Sequence, residues 1–111
     1  APHGDMTVVS GEKENVMAYI NEQLSLQKKA GKKSGVIATD ESAARYRADI
    51  VKSVGSRADE LSAAKHLYTV LREMDEEGAE VIYSEAFTGK GIGEAVMNRL
   101  LKAAGYHMVQ V

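Results

Sequence analysis

The 111-residue chain has no cysteine. That excludes disulfides and thiolate metal sites and fits a reducing compartment, so a cytoplasmic location is expected. It also lacks a basic block: 14 Lys and Arg stand against 16 Asp and Glu, for a net charge of -2. Grip on a phosphate backbone is driven by clustered cations, so no direct nucleic-acid contact by this domain is expected. No apolar run approaches the roughly 18 residues of a membrane span, and Ala1-Pro2-His3-Gly4 has neither a charged leader nor an apolar core. No membrane partner is therefore expected. Internal repeats, low-complexity tracts and linkers are missing as well. The length is that of one domain over residues 1–111, able to withdraw roughly two thirds of its unfolded surface from water. A start without Met that leads almost at once into a strand is read as that of a fragment.

What is present is organised around residues 79–105. Val81-Ile82-Tyr83 is the short β-branched and aromatic run of a strand buried on both faces. Thr88-Gly89-Lys90-Gly91-Ile92-Gly93 then breaks the pattern, and Ile92, Val96, Leu100 and Ala103, with Met97 and Leu101 beside them, follow at helical spacing. Strand, glycine-rich turn and helix in that order place backbone N–H groups at the carboxyl end of a sheet, where an anion is held well. The spacing matches neither phosphate fingerprint. For G-x-G-x-x-G, Gly89 and Gly91 fit but position 94 is Glu, and for the P-loop Lys90 is followed by Gly91 rather than Ser or Thr. A nucleotide or small-anion site and a plain turn both stay open.

In chain order, Met6–Val9 reads as the first strand. Ser10 is a fair N-cap for a helix that runs to about Ala30, with Val16, Met17, Ile20 and Leu24 inward and Gly31 as its stop. Residues 35–39 form a second strand, after which Asp40 or Ser42 caps a short helix through Tyr46. Residues 50–54 alternate as an edge strand does. Ser56 with Asp59 forms a capping box for a long helix whose inward stripe is Leu61, Ala64, Leu67, Tyr68, Leu71 and Met74. Residues 107–111 supply a fifth strand. Strands alternating with helices imply a mostly parallel five-stranded sheet between two helical layers. With the order 3-2-1-4-5, the loops after the first and fourth strands face each other across the binding crevice of such sheets. The candidate ligand-binding residues are thus Ser10, Gly11, Glu85, Thr88, Gly89, Lys90, Gly91 and Gly93. Glu85 is either a carboxylate that meets a ribose hydroxyl, a metal or a cation, or a solvent-facing loop acid. Met97, Asn98 and Arg99 on the last helix are candidate docking residues.

Other chemistry finds no support. Gly31-Lys32-Lys33-Ser34 follows a helix and precedes a strand, the reverse of a phosphate loop. His3, His66 and His107 are scattered without a second ligand at metal spacing, so no metal site is expected. A receiver-type phosphoacceptor, the main rival for a flavodoxin-like order, needs acids where Ser10 and Val54-Gly55 stand. Ser10, Ser56 and Ser84 have no histidine base nearby in sequence.

Gly91-Ile92-Gly93 with Ala95-Val96-Met97-Asn98-Arg99-Leu100 and Lys102-Ala103-Ala104 resembles the G-[LI]-G-x-A-[VI]-M-N-R-L-x-K-A-A signature of the C-terminal domain of the long, two-domain L-threonylcarbamoyladenylate synthases. Gly55-Ser56-Arg57, Ala64, Leu67, Leu71-Arg72 and Asp75 resemble a second run of that domain, and residues 35–39 resemble its second strand. The resemblance covers nearly the whole chain. It implies a Rossmann-like α/β three-layer sandwich. For the whole enzyme it implies the joining of L-threonine, bicarbonate and ATP into threonylcarbamoyl-AMP, with magnesium, for a modification of tRNA. Catalytic and ATP-binding residues belong to a larger N-terminal domain, followed by a linker containing H-Y-A-P, of which Ala1-Pro2 looks like the tail. This chain is then expected to be an accessory domain with no catalytic residue, no cofactor and no metal of its own, and the N-terminal catalytic domain is its expected partner.

Overall fold

Five consecutive residues with no exposed side chain, Val81 to Glu85, form β4, and a strand buried on both faces must have neighbours on both edges. The computed structural model, which describes residues 2–87 and 91–111, gives it those neighbours. The elements are β1 (Asp5–Ser10), α1 (Lys13–Lys29), β2 (Ser34–Ala38), a 3₁₀ turn (Ala43–Arg45), β3 (Ile50–Ser53), α2 (Glu60–Glu76), β4 (Val81–Glu85), α3 (Ile92–Ala103) and β5 (Met108–Gln110). All strand pairs are parallel, in the order β3-β2-β4-β1-β5.

The α/β class and the parallel sheet agree with the sequence reading, whereas the strand order differs by an exchange of β1 and β4. Both strands are interior and equally apolar, so burial patterning fits either order. Adjacency of consecutive strands is the default that favours 3-2-1-4-5. A 17-residue α1, about 25 Å long, spans two strand spacings of about 4.8 Å as easily as one. The exchange leaves β1 beside β4, with Val9 opposite Glu85, and adds β2 on the other side, with Ile37 opposite Ser84.

Period-two alternation splits the core into two layers. Met6, Val8, Ile37 and Ile82 point to the side covered by α2 and α3, where Leu67, Met74, Val96 and Leu100 complete the larger cluster. Val9, Val36, Ala38, Val81 and Tyr83 point to the side covered by α1, where Val16, Met17, Ile20, Leu24 and Tyr46 close the smaller one. Glu85, two residues beyond Tyr83, lies on the α1 side by the same alternation.

Three local expectations shift. Glu12 rather than Ser10 is the cap of α1, and it makes no side-chain capping bond. Asp59 caps α2 by accepting from the Ser62 N–H at 3.0 Å, while Ser56 turns its hydroxyl to Glu41 instead. The inward stripe of α2 is Ala63, Leu67, Val70 and Met74, which leaves Leu61 and Tyr68 more than half exposed. An i, i+4, i+7, i+11 set containing Ala63 and Val70 meets the sheet closely, and the bulkier stripe beside it faces out.

Candidate functional site

The carboxyl ends of β1, β2 and β4 and the loop after β3 surround a cavity of about 220 Å³. Its wall includes Ser10, Gly11 and Lys13 from the β1 side, Thr39, Glu41 and Ser42 from the β2 side, Arg57 from the loop after β3, and Glu85 and Ala86 at the end of β4. Of the sequence candidates, Ser10, Gly11 and Glu85 therefore come together. Gly91 and Gly93 lie elsewhere: Gly91, at φ +70° and ψ -120°, is the N-cap of α3, and Gly93 is buried in that helix's first turn. The backbone at Gly91 is one that a side chain tolerates poorly, which gives that glycine a conformational role. Thr88, Gly89 and Lys90 lie outside the described residues.

Glu85 is the hub. It is 4 % exposed, so it is a buried acid and not a solvent-facing one. Its Oε2 accepts from the Ser42 hydroxyl at 2.6 Å and from the Tyr46 hydroxyl at 2.5 Å, and its Oε1 accepts from Arg57 Nη2 at 2.6 Å. Arg57 also donates from Nη1 to the Ala86 carbonyl at 3.3 Å and sets its guanidinium 5.3 Å from the centre of the Phe87 ring. A buried carboxylate is tolerated only when paired and hydrogen-bonded. Three donors from two loops meet that demand and tie the loops after β2 and β3 to the tip of the central strand. Burial, reinforced by the Glu85 carboxylate, pushes the Tyr46 phenol well above its ordinary range.

Around this hub the loops brace one another. The Thr39 N–H donates to Ser42 Oγ at 3.3 Å, and Asp40 accepts from the Ser53 hydroxyl at 2.6 Å. Glu41 accepts from the Arg57 N–H at 2.8 Å and the Ser56 hydroxyl at 2.7 Å, and those two donors, the backbone one first, hold its carboxyl down to about 2. The Ser42 side chain, read from sequence as a cap, makes no capping bond and serves Glu85 instead. Sequence patterning missed Thr39, Glu41, Tyr46 and Arg57 as members of the site. The available signal was Glu85 itself, since an acid that ends an apolar strand calls for a cation and hydroxyls from neighbouring loops.

Three of the roughly four lone pairs on the Glu85 carboxylate meet donors, and Ser84 spends its hydroxyl on the Glu85 carbonyl at 2.9 Å. Ser62 and the backbone at Ser62 engage His66, and Thr7 engages His107. The volume lies below the roughly 300–1,000 Å³ usual for drug-sized ligands, so it fits a small polar molecule or one end of a larger one.

The second hollow is an open groove of about 960 Å³ between α2 and α3. Two of the docking candidates, Asn98 and Arg99, line it, and the Arg99 guanidinium stacks 4.2 Å from the centre of the Tyr68 ring. Met97 is half-buried against the larger core cluster. Among the described residues no helix is long and apolar enough to cross a membrane.

An all-parallel sheet between α1 on one face and α2 with α3 on the other, with a small cleft at its carboxyl rim, defines a Rossmann-like α/β domain. The sequence model of the family described as "Threonylcarbamoyl-AMP synthase, C-terminal domain" matches residues 1–105, and the chain belongs to that family. It is 40 % identical over 111 residues to the threonylcarbamoyl-AMP synthase of Pyrococcus abyssi, covering all of this chain and 31 % of that protein. To the Bacillus subtilis synthase it is 38 % identical over 110 residues, covering 99 % and 31 %. The chain thus spans about a third of the length of these relatives. Among solved structures, P. abyssi Sua5 complexed with L-threonine superposes with a TM-score of 0.88 at 40 % identity, over all of this chain and 31 % of that one. The C-terminal Sua5 domain of Pyrococcus horikoshii, at 39 % identity and a TM-score of 0.80, is matched over the full length of both chains.

Proposed function

We propose that this chain is the C-terminal accessory and regulatory domain of a cytoplasmic threonylcarbamoyl-AMP synthase. In that reading an N-terminal catalytic domain, a nucleotidyltransferase, binds ATP and magnesium and joins threonine and bicarbonate to the nucleotide for tRNA modification. The domain described above docks on it, helps to close it over ATP and product, and turns over nothing alone. One observation carries this: end to end, the chain matches one third of each synthase, the part whose family model is named for the C-terminal domain. The cleft agrees with it, because its buried acid, Glu85, is already held by Arg57, Ser42 and Tyr46, and Glu41 by Ser56 and the Arg57 backbone. The test is pyrophosphate release from ATP, threonine and bicarbonate. The chain alone is expected to give none, and adding it to a catalytic part that lacks its own C-terminal third is expected to raise release. Robust turnover by the chain alone overturns the assignment.

The rim cavity favours a second reading, in which Ser10, Gly11 and Lys13, facing Glu85 and Arg57 across the cavity, hold a nucleotide end or a small anion. The first turn of α1 has no side-chain cap and borders that cavity, a placement that suits negative charge. Calorimetric titration with inorganic phosphate, AMP, ATP and GTP is expected to show binding that weakens when Lys13, which lines the cavity, is replaced by Glu. Titrations flat to millimolar concentration overturn it.

A further inference from the structure

We infer that the groove between α2 and α3 is the face on which the preceding catalytic part of the synthase seats, through a surface that presents carboxylates beside an apolar edge. This rests on the accessory-domain reading and names the face that reading leaves open.

Three independent observations converge on it. The first is where the chain enters. Pro2 lines the groove, and the His3 backbone N–H donates to Asp75 Oδ1 on α2 at 2.7 Å, which fixes the approach to β1. The relatives are about three times as long and the family model is that of a C-terminal domain, so a preceding part of such a protein would join the fold beside this groove. The second is exposed aromatic surface. Tyr68 is 59 % exposed and Tyr106, at the other side of the groove, 69 %. Tyr106 moreover stands at φ +63°, directly after Gly105 at φ +60° has already turned the chain out of α3. A bulky residue in the left-handed region costs roughly 1–2 kcal/mol, and such strain held at an exposed aromatic marks a site used for something other than folding. The third is charge. Arg72, Arg99 and Lys102 line the groove, with Arg72 4.0 Å from Glu76 on the exposed side of α2, and the acid among the lining residues, Asp75, is engaged by His3. Tyrosine and arginine set together are the residues that dominate binding energy at protein interfaces. The groove opens beside the amino end of β1, at the opposite end of the strands from the rim cavity, so docking here leaves that cavity free.

The test uses a chimera in which this chain replaces the C-terminal third of the P. abyssi synthase. The free chain is the control, since a P. horikoshii domain of the same extent was crystallised as a separate chain. Hydrogen–deuterium exchange is expected to be about fivefold or more slower in the chimera over residues 68–75 and 98–106. Tyr68→Ala combined with Arg99→Glu, two exposed positions that leave the circular dichroism unchanged, is expected to abolish that protection and reduce pyrophosphate release. Protection confined to another face, with release intact in the double variant, overturns this inference and leaves the accessory role standing. Absence of any protection, with release no greater than from the catalytic part alone, overturns both. Protection of the same residues in the free chain, with sedimentation as a dimer, assigns the groove to a second copy and overturns the inference alone.

Discussion

Removing one oxygen from Tyr46 tests whether the Glu85 hub holds the carboxyl rim together. Tyr46→Phe keeps the ring in the smaller core cluster, where Tyr46 is 6 % exposed, and deletes only the hydroxyl that meets Glu85 Oε2 at 2.5 Å. Ser42 and Arg57 remain on the carboxylate, so the acid is left short of one donor and not stranded. A hydrogen bond to a charged group is worth about 1.5–3 kcal/mol, and about 2 kcal/mol is expected here. With an unfolding entropy of about 2.1 cal/mol/K per residue, that loss lowers the Tm of a 111-residue domain by about 9 °C at pH 7.

The same substitution carries a pH signature that a packing defect does not. Burial and the neighbouring carboxylate raise the Tyr46 pKa above its ordinary 10, so on alkalinisation the unfolded chain releases this proton first. The stability it contributes is therefore whole below pH 10 and is lost as pH rises beyond it. The Phe variant has no such proton to lose. The gap between the two proteins in urea unfolding is expected to narrow by about 1.4 kcal/mol between pH 9 and pH 11. In a Glu85→Gln background the cost of Tyr46→Phe is expected to shrink, since the pair is coupled. A Tm within 2 °C of the parent at pH 7, or a gap that stays constant to pH 11, refutes the hub.

Two further expectations concern the walls of the same cleft. Glu41→Gln is expected to destabilise the domain at neutral pH and to flatten its acid limb. The Glu41 carboxyl is held from 4.5 down to about 2 by the Arg57 N–H and the Ser56 hydroxyl, so its contribution is whole above 4.5 and is lost as pH falls toward 2. Parallel acid limbs of Tm against pH for the two proteins would contradict this. Gly11→Ala is expected to destabilise by about 1–3 kcal/mol in urea melts, because Gly11 sits at φ +146° and an added Cβ falls 2.5 Å from the Val111 carbonyl oxygen at the β5 edge. A change under about 0.5 kcal/mol would show that the β5 edge yields freely.

How much of this was legible in the sequence depends on which force set each feature. The strands, α1 with its stop at Gly31, and α3 after β4 follow from apolar period and local capping chemistry, which are written in neighbouring residues. The order of the two inner strands was not legible. Met6–Val9 and Val81–Ser84 satisfy the same burial requirement, and what distinguishes them is how helices on opposite faces pack over the sheet. That exchange matters for the site. With β4 between β1 and β2, the loop after β2 comes to rest beside Glu85, and Ser42 and Tyr46 become its donors. In the order 3-2-1-4-5, β1 would separate them. The rotation of α2 has a similar cause: Ala63 and Val70 win the inner face because small side chains let the helix approach the sheet, which turns Tyr68 outward under Arg99. Features set by a single segment were therefore readable. The cleft and the groove needed the third dimension, because each is made where segments distant in sequence compete for the same partner.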